Sequence, residues 1–236
     1  MSDSYPPVLV TGASRGIGAA VVEAALEFGW EVVAMSRSDI EQREGVHRIP
    51  VDLADQGSRN AALDRLLAEH GLPEVVFDCA GAFLLARLEN TSDALLREQL
   101  AINLEAPFAL ARKLLPLMRA RGSGRHIMIG SVADQRAFPD NGAYSAAKFG
   151  LRGLHAVLVE EFRGTGVLCT LISPGPTDTT VWDPIDPDSR PGFLSRSQML
   201  TADEVAQAAI WAAIAPRGVH IESIRMSPDR PAGVGG

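Results

Sequence analysis

The stretch Val8-Leu9-Val10-Thr11-Gly12-Ala13-Ser14-Arg15-Gly16-Ile17-Gly18 decides the fold. A short β-branched run enters a turn whose glycines follow GxxxGxG spacing, and an Ala-rich helical pattern begins at once. Glycine permits a tight turn, close approach of the backbone to a ligand, and intimate packing of helix on strand. Free amides and the dipole at a helix start favour an anion, so Gly12, Ser14, Arg15, Gly16, Ile17 and Gly18 form a candidate pyrophosphate cradle.

The rest of the chain repeats this alternation. Apolar β-branched runs recur at 8–10, 31–35, 46–49, 75–77, 126–129, 167–172 and 221–226, with helical patterns at 16–28, 56–69, 92–101, 105–120, 142–163 and 202–214. Near-continuous apolar strands between helices imply a parallel sheet covered on both faces. The expectation is an α/β fold: a single Rossmann-type doubly wound domain over residues 1–236, with about seven parallel strands and helices on both faces. Thr91 or Ser92 suits the cap of the third helix, and Thr201 followed by Glu204 reads as a capping box for the last. Pro116 is expected to kink or end the fourth helix. Residues 174–192, rich in Pro, Asp, Ser and Thr, read as one long irregular stretch, and the loop from 174 to about 200 is expected to close over a substrate. Residues 231–236 read as a frayed tail.

Composition removes several classes of function. With 46% hydrophobic residues among 236, the chain can bury a large core, and its net charge of -7 opposes binding to nucleic acid. Residues 1–7 lack a basic and an apolar leader segment, and no later apolar run has the length of a membrane span, so a cytoplasmic location without membrane contact is expected. Cys79 and Cys169 lack CxxC spacing and read as buried thiols. The five His residues show no clustered ligand spacing, so no metal is expected.

Tyr144 and Lys148 stand four residues apart, and Ser131 follows the apolar run His126-Ile127-Met128-Ile129-Gly130. On a helix, i and i+4 share a face about 5.4 Å apart. An ammonium there favours the phenolate, so the phenol is expected to titrate nearer neutrality and to exchange a proton. After the second strand come Ser36 and Arg37, where an acidic residue would accept a free ribose 2′-hydroxyl. Ser36, Arg37 and Arg15 suit a 2′-phosphate instead, which favours NADP(H) over NAD(H). Asp39 is a rival partner for Arg37.

With Thr11-Gly12-x-x-x-Gly16-x-Gly18, Asn103, Ser131 and Tyr144-x-x-x-Lys148 in order, the chain resembles the short-chain dehydrogenase/reductase family over residues 8 to about 226. The resemblance implies an oxidoreductase that interconverts a carbonyl and an alcohol by hydride transfer. In it Tyr144 is the general acid or base, Lys148 lowers the Tyr144 pKa and holds the nicotinamide ribose, Ser131 binds the substrate oxygen, and Asn103 kinks a helix and anchors a water. It further implies adenine contacts from Asp52 and Leu53, close cofactor approach at Cys79, Ala80 and Gly81, and nicotinamide contacts from Pro174, Gly175, Thr177 and Thr179. Asp78-Cys79 stands where Asn-Asn is usual, which puts the strand linkage there in doubt. Candidate substrate contacts are Phe83, Ala133, Gln135, Phe138, Trp182 and Phe193, with Leu84 and Asp134 nearby. The substrate is expected to be a small carbonyl or alcohol, Asp134 weighing against an anionic one. A homodimer or homotetramer built through the fourth and fifth helices is the family's usual assembly. A 3-oxoacyl thioester reductase and a non-catalytic NADP(H)-sensing regulator remain alternatives.

Overall fold

The computed structural model describes residues 7–216 and 218–229, and the expectations for residues 1–6 and 231–236 lie outside them. Strand β1 (Val8–Thr11) passes through the glycine turn into α1 (Gly16–Glu27), followed by β2 (Val32–Ser36), β3 (Val46–Pro50), α2 (Gln56–Glu69) and β4 (Val75–Asp78). The second half contains α3 (Asp93–Leu100), α4 (Ala106–Arg121), β5 (Gly124–Ile129), α5 (Gly142–Glu161) and β6 (Val167–Pro174). Short strands β7 (Thr177–Asp178) and β8 (Leu200–Thr201) precede α6 (Ala202–Ile214) and β9 (Ser223–Met226).

Seven strands form one parallel sheet in the order β3-β2-β1-β4-β5-β6-β9. On one face Val21, Ala25, Val205 and Ile210 of α1 and α6 pack against Val10, Ala34 and Phe77. On the other, Leu63, Leu66, Leu110, Leu114, Leu151 and Leu158 of α2, α4 and α5 cover Leu9, Val33, Val76 and Met128. Two-sided cover explains the strand sequences: β1, β2 and β4 are buried without interruption, whereas β9 at the sheet edge alternates. Strand β1 lies between β2 and β4, so the crossovers leave it in opposite directions and open a crevice at the carboxyl ends of the strands. No helix among the described residues is long and apolar enough to cross a membrane.

The capping box forms as the pattern implies: Glu204 N–H donates to Thr201 Oγ1 at 3.1 Å, and Thr201 N–H donates to Glu204 Oε2 at 2.7 Å. Ser92, not Thr91, caps α3. Pro116 does not end its helix, since α4 runs on to Arg121. Pro116 and Arg112 are both exposed, so water can take the carbonyl that the missing N–H frees, while the buried Leu110, Leu114, Leu115 and Met118 hold the helix to the sheet. The 174–192 stretch is more ordered than its composition suggests. Strands β7 and β8 pair in parallel, short 3₁₀ turns form at Thr180–Trp182 and Pro187–Ser189, and Arg196 bridges Asp178 at 2.9 Å and Asp183. Strand β9 begins at Ser223, two residues later than expected, because the carbonyl of Ile221 accepts the Thr170 hydroxyl at 2.6 Å.

Candidate active site

A cleft of about 1220 Å³ follows the crevice across the carboxyl edge of the sheet. The glycine turn forms its floor. Gly12 and Gly16 take φ of 64° and 54°, a region that strains other residues. A Cβ on Gly12 would lie 2.8 Å from the Cα of Ala80, and one on Gly18 would lie 2.2 Å from the Gly12 carbonyl oxygen. The turn therefore presses against the loop after β4 and aims the free amides of α1 along the cleft, a donor set that fits a dinucleotide pyrophosphate.

Ser14, Arg15, Ile17, Ser36, Arg37 and Leu53 line the same end. Asp52 lies beside Leu53 in the turn that follows β3. Its carboxylate accepts the Ala54 amide at 3.0 Å and its own amide donates to Ser58 Oγ at 3.0 Å, so it shapes the turn that presents Leu53. Asp39 pairs with Arg48 at 2.7 Å, and among the described residues Arg15 and Arg37 have no carboxylate partner.

The loop Cys79, Ala80 and Gly81 lines the centre of the cleft. The doubt about Asp78 is resolved by Thr11, whose hydroxyl donates to Asp78 Oδ1 at 2.7 Å and accepts the Cys79 and Ala80 amides at 3.1 Å. A carboxylate thus keeps β1 tied to β4. Its second oxygen lies 3.8 Å from His126 Nε2, both side chains being buried. Cys79 is partly exposed to the cleft, and lost hydration, helped by the Asp78 charge, pushes its thiol far above its ordinary range.

Asn103 sits in a single π turn, Ala101–Glu105, between α3 and α4. Fully buried, it donates to the Ala82 carbonyl at 2.9 Å and to Gln99 Oε1 at 3.2 Å, and accepts the Ala82 amide at 3.3 Å. Its amide is spent on fixing the loop beyond Gly81.

Ser131 follows β5 by two residues, while Tyr144 and Lys148 occupy the first two turns of α5. Lys148 is buried and donates to the Ile129 carbonyl at 2.9 Å, its ammonium 5.7 Å from the Tyr144 ring centre. Burial pushes Lys148 down to about 8, against the opposing pull of the Asp78 and Asp134 carboxylates. Tyr144 is half-buried, and burial pushes its phenol up to about 12 although the Ser131 hydroxyl pulls it down. The expectation of a near-neutral phenol is corrected: lost hydration, with the Asp134 carboxylate acting the same way, outweighs the Ser131 hydroxyl. In this state Tyr144 holds a proton and can give it to an oxygen placed against it.

Beyond Tyr144 the cleft is aromatic. Phe83 meets Tyr144 edge-on at 5.0 Å, Trp182 lies 5.1 Å from Phe83, and Phe193 lies 6.3 Å from Trp182. Ala133, Gln135 and Phe138 complete this end, and Leu85 takes the place expected for Leu84. Asp134 is fully buried behind the wall and accepts the Ser173 hydroxyl at 2.5 Å, while its charge still acts on Tyr144. Pro174, Gly175, Thr177 and Thr179 line the side opposite the glycine turn. The Thr177 hydroxyl is committed to the Gly175 carbonyl at 3.0 Å, whereas Thr179 faces Gly16. Asn141, Met199 and Arg136 also line the cleft without having been anticipated. An Asn directly before the helix that carries Tyr144 was a usable signal, but Met199 arrives through the β7–β8 pairing, which no local pattern announces.

The sequence matches the family profile described as short chain dehydrogenase over residues 7–190. It is 32% identical over 219 residues to D-threitol dehydrogenase of Mycolicibacterium smegmatis, covering 87% of this chain and 84% of that one. A metagenomic short-chain oxidoreductase solved in complex with NADP is 28% identical with a TM-score of 0.81, covering 98% of this chain and all of that one. A 4-hydroxyisoleucine dehydrogenase complexed with NADH, at 22% identity and a TM-score of 0.86 over 96% of this chain and 98% of that one, shares the fold. The glycine turn, the Tyr144–Lys148 helix and these matches agree, and the chain belongs to the short-chain dehydrogenase family of oxidoreductases.

Proposed function

We propose that this protein is an NADP(H)-dependent oxidoreductase that interconverts a ketone or aldehyde with an alcohol, using Tyr144 as its proton-transfer group. The observation that carries the proposal is one cleft with a glycine cradle at one end beside Arg15 and Arg37, which have no carboxylate partner among the described residues, and Tyr144, Lys148 and Ser131 at the other. A bound nicotinamide dinucleotide supplies or removes the hydride. Tyr144 gives its proton to the substrate oxygen in reduction and takes one back in oxidation. Ser131 holds that oxygen, and Lys148, kept in place by the Ile129 carbonyl, favours the negative charge that forms on Tyr144 in reduction. The Asn103 amide fixes the loop over which the nicotinamide would lie.

Preference for the 2′-phosphate rests on Arg37 and Arg15, because structural relatives carry NADP in one case and NADH in another. Asp39 is engaged by Arg48, so the Arg37 guanidinium stays available for a phosphate. Phe108 and Leu117 on α4 and Phe149 and Val157 on α5 are exposed, which supports a homodimer or homotetramer joined through these helices. A monomer in sedimentation would overturn that assembly. The activity is tested with a panel of carbonyls and alcohols followed at the nicotinamide absorbance, NADPH and NADH in parallel. Turnover with NADPH well above NADH is expected, and the absence of turnover with every compound and both dinucleotides would overturn the proposal.

A further inference from the structure

Asn141 occupies the N-cap of α5 but makes no cap hydrogen bond. Asn is favoured at that position because its side-chain oxygen takes a free amide of the first turn. Here the residue is 5% exposed, its Oδ1 has no hydrogen-bond partner among the described residues, and it lines the cleft. Native structures seldom leave a buried amide unpartnered without a task.

The main chain on both sides of this residue is held in place. Asp140 is held at a φ of 60°, and its carbonyl accepts the Ala86 amide at 2.7 Å, while Ala86 and Asn141 form a parallel bridge. The loop after β4 is thereby pinned to the start of α5. Tyr144 is the third residue of α5, and side chains at the N-cap and third helical positions are neighbours. One substrate bound against Tyr144 therefore meets Asn141 as well. Its other side meets hydrocarbon, because Phe83 packs on Tyr144 and Trp182 spends its indole N–H on the Thr177 carbonyl at 3.0 Å.

We propose that Asn141 is a specificity-determining residue whose side-chain amide hydrogen-bonds a second oxygen of the substrate, close to the carbonyl that Tyr144 protonates. The substrate class is then an apolar or aromatic ketone with a neighbouring oxygen: a vicinal diketone or a 2-hydroxyketone. An amide both donates and accepts, so either form of the second oxygen is accommodated. Hydride from the dinucleotide and a proton from Tyr144 convert one carbonyl to a hydroxyl, and the second oxygen is unchanged. This inference rests on the hydride-transfer reading above.

The test compares 1-phenyl-1,2-propanedione with propiophenone, two aryl ketones that differ only in the neighbouring oxygen. The ratio of their kcat/KM values is measured in wild type and in Asn141→Ala. The ratio is expected to fall about tenfold in the variant, mainly through KM for the diketone, as befits loss of one hydrogen bond. Because Asn141 makes no cap bond, the thermal midpoint of the variant is expected within about 2 °C of wild type. Should the Ala variant fail to fold, Asn141→Ser, with a shorter polar group, is expected to show the same fall. An unchanged ratio in a folded variant overturns the inference and leaves the hydride-transfer reading intact. Absence of wild-type turnover with any carbonyl and either dinucleotide overturns both.

Discussion

The hydroxyl of Thr11 donates to Asp78 Oδ1 at 2.7 Å while accepting the backbone amides of Cys79 and Ala80. Two strand ends that form the cleft floor thus share one oxygen. Asp78→Asn keeps an acceptor for Thr11 and should stay within about 1 kcal/mol of wild type, whereas Asp78→Ala should lose about 2 kcal/mol. Urea denaturation at constant m-value measures both. Equal losses in the two variants would assign the effect to the buried charge beside His126 and not to the hydrogen bond.

Tyr144→Phe keeps the ring that packs on Phe83 and removes only the transferable proton. Turnover should fall by about 10³-fold, within the range of general acid catalysis, while dinucleotide affinity changes by less than about threefold. Retained turnover would remove Tyr144 from the proton-transfer role.

The depressed value of Lys148 has two consequences with pH. In catalysis, reduction should hold its rate through neutrality and decline above about pH 8, as the ammonium that favours charge on Tyr144 is lost. In stability, the unfolded chain binds the Lys148 proton more tightly than the folded chain, so stability from this residue rises with pH between about 8 and 10.5. Above pH 10 the raised Tyr144 acts in the opposite sense, because its unfolded form releases a proton first. Lys148→Met should abolish turnover and flatten the upward slope between pH 8 and 10, a contribution on the order of 3 kcal/mol in full. Denaturation midpoints of wild type and variant across that range decide it.

Among the described residues Arg37 has no carboxylate partner, and Asp39 is engaged by Arg48. Arg37→Ser should raise the KM for NADPH by about 10- to 100-fold, the worth of one charge-assisted bond, and change that for NADH by less than about threefold. Equal effects on the two dinucleotides would detach Arg37 from the 2′-phosphate.

Much of the fold was legible because its periodicities are strong. Buried parallel strands such as Val8–Thr11 and Val75–Asp78 are apolar throughout, and the glycine turn marks the crevice by itself. Tyr144, Lys148 and Ser131 could be picked out because their spacing within α5 and just after β5 is local. What escaped depended on distant partners. The fate of Asp78 is set by Thr11, that of Asp39 by Arg48, and that of Asp134 by Ser173, each contact joining separate elements. Tyr144 was misjudged because proximity to a cation is visible in sequence whereas burial is not. Pro116 was read by local rules as kinking or ending its helix, and its exposed face with a buried opposite stripe lets the helix continue.

The π turn at Ala101–Glu105 sets a limit on how this chain can change length. Such a turn holds one residue more than an α-helical turn, and each helical residue turns the chain by about 100°. Removing one residue between 101 and 105 would restore regular winding and keep the Leu110 and Leu114 stripe of α4 against the sheet, but it would draw Asn103 off the Ala82 backbone. Insertions and deletions are therefore tolerated far better in the exposed turn around Gly122 than at this buried bend, where one codon governs the loop that lines the cleft.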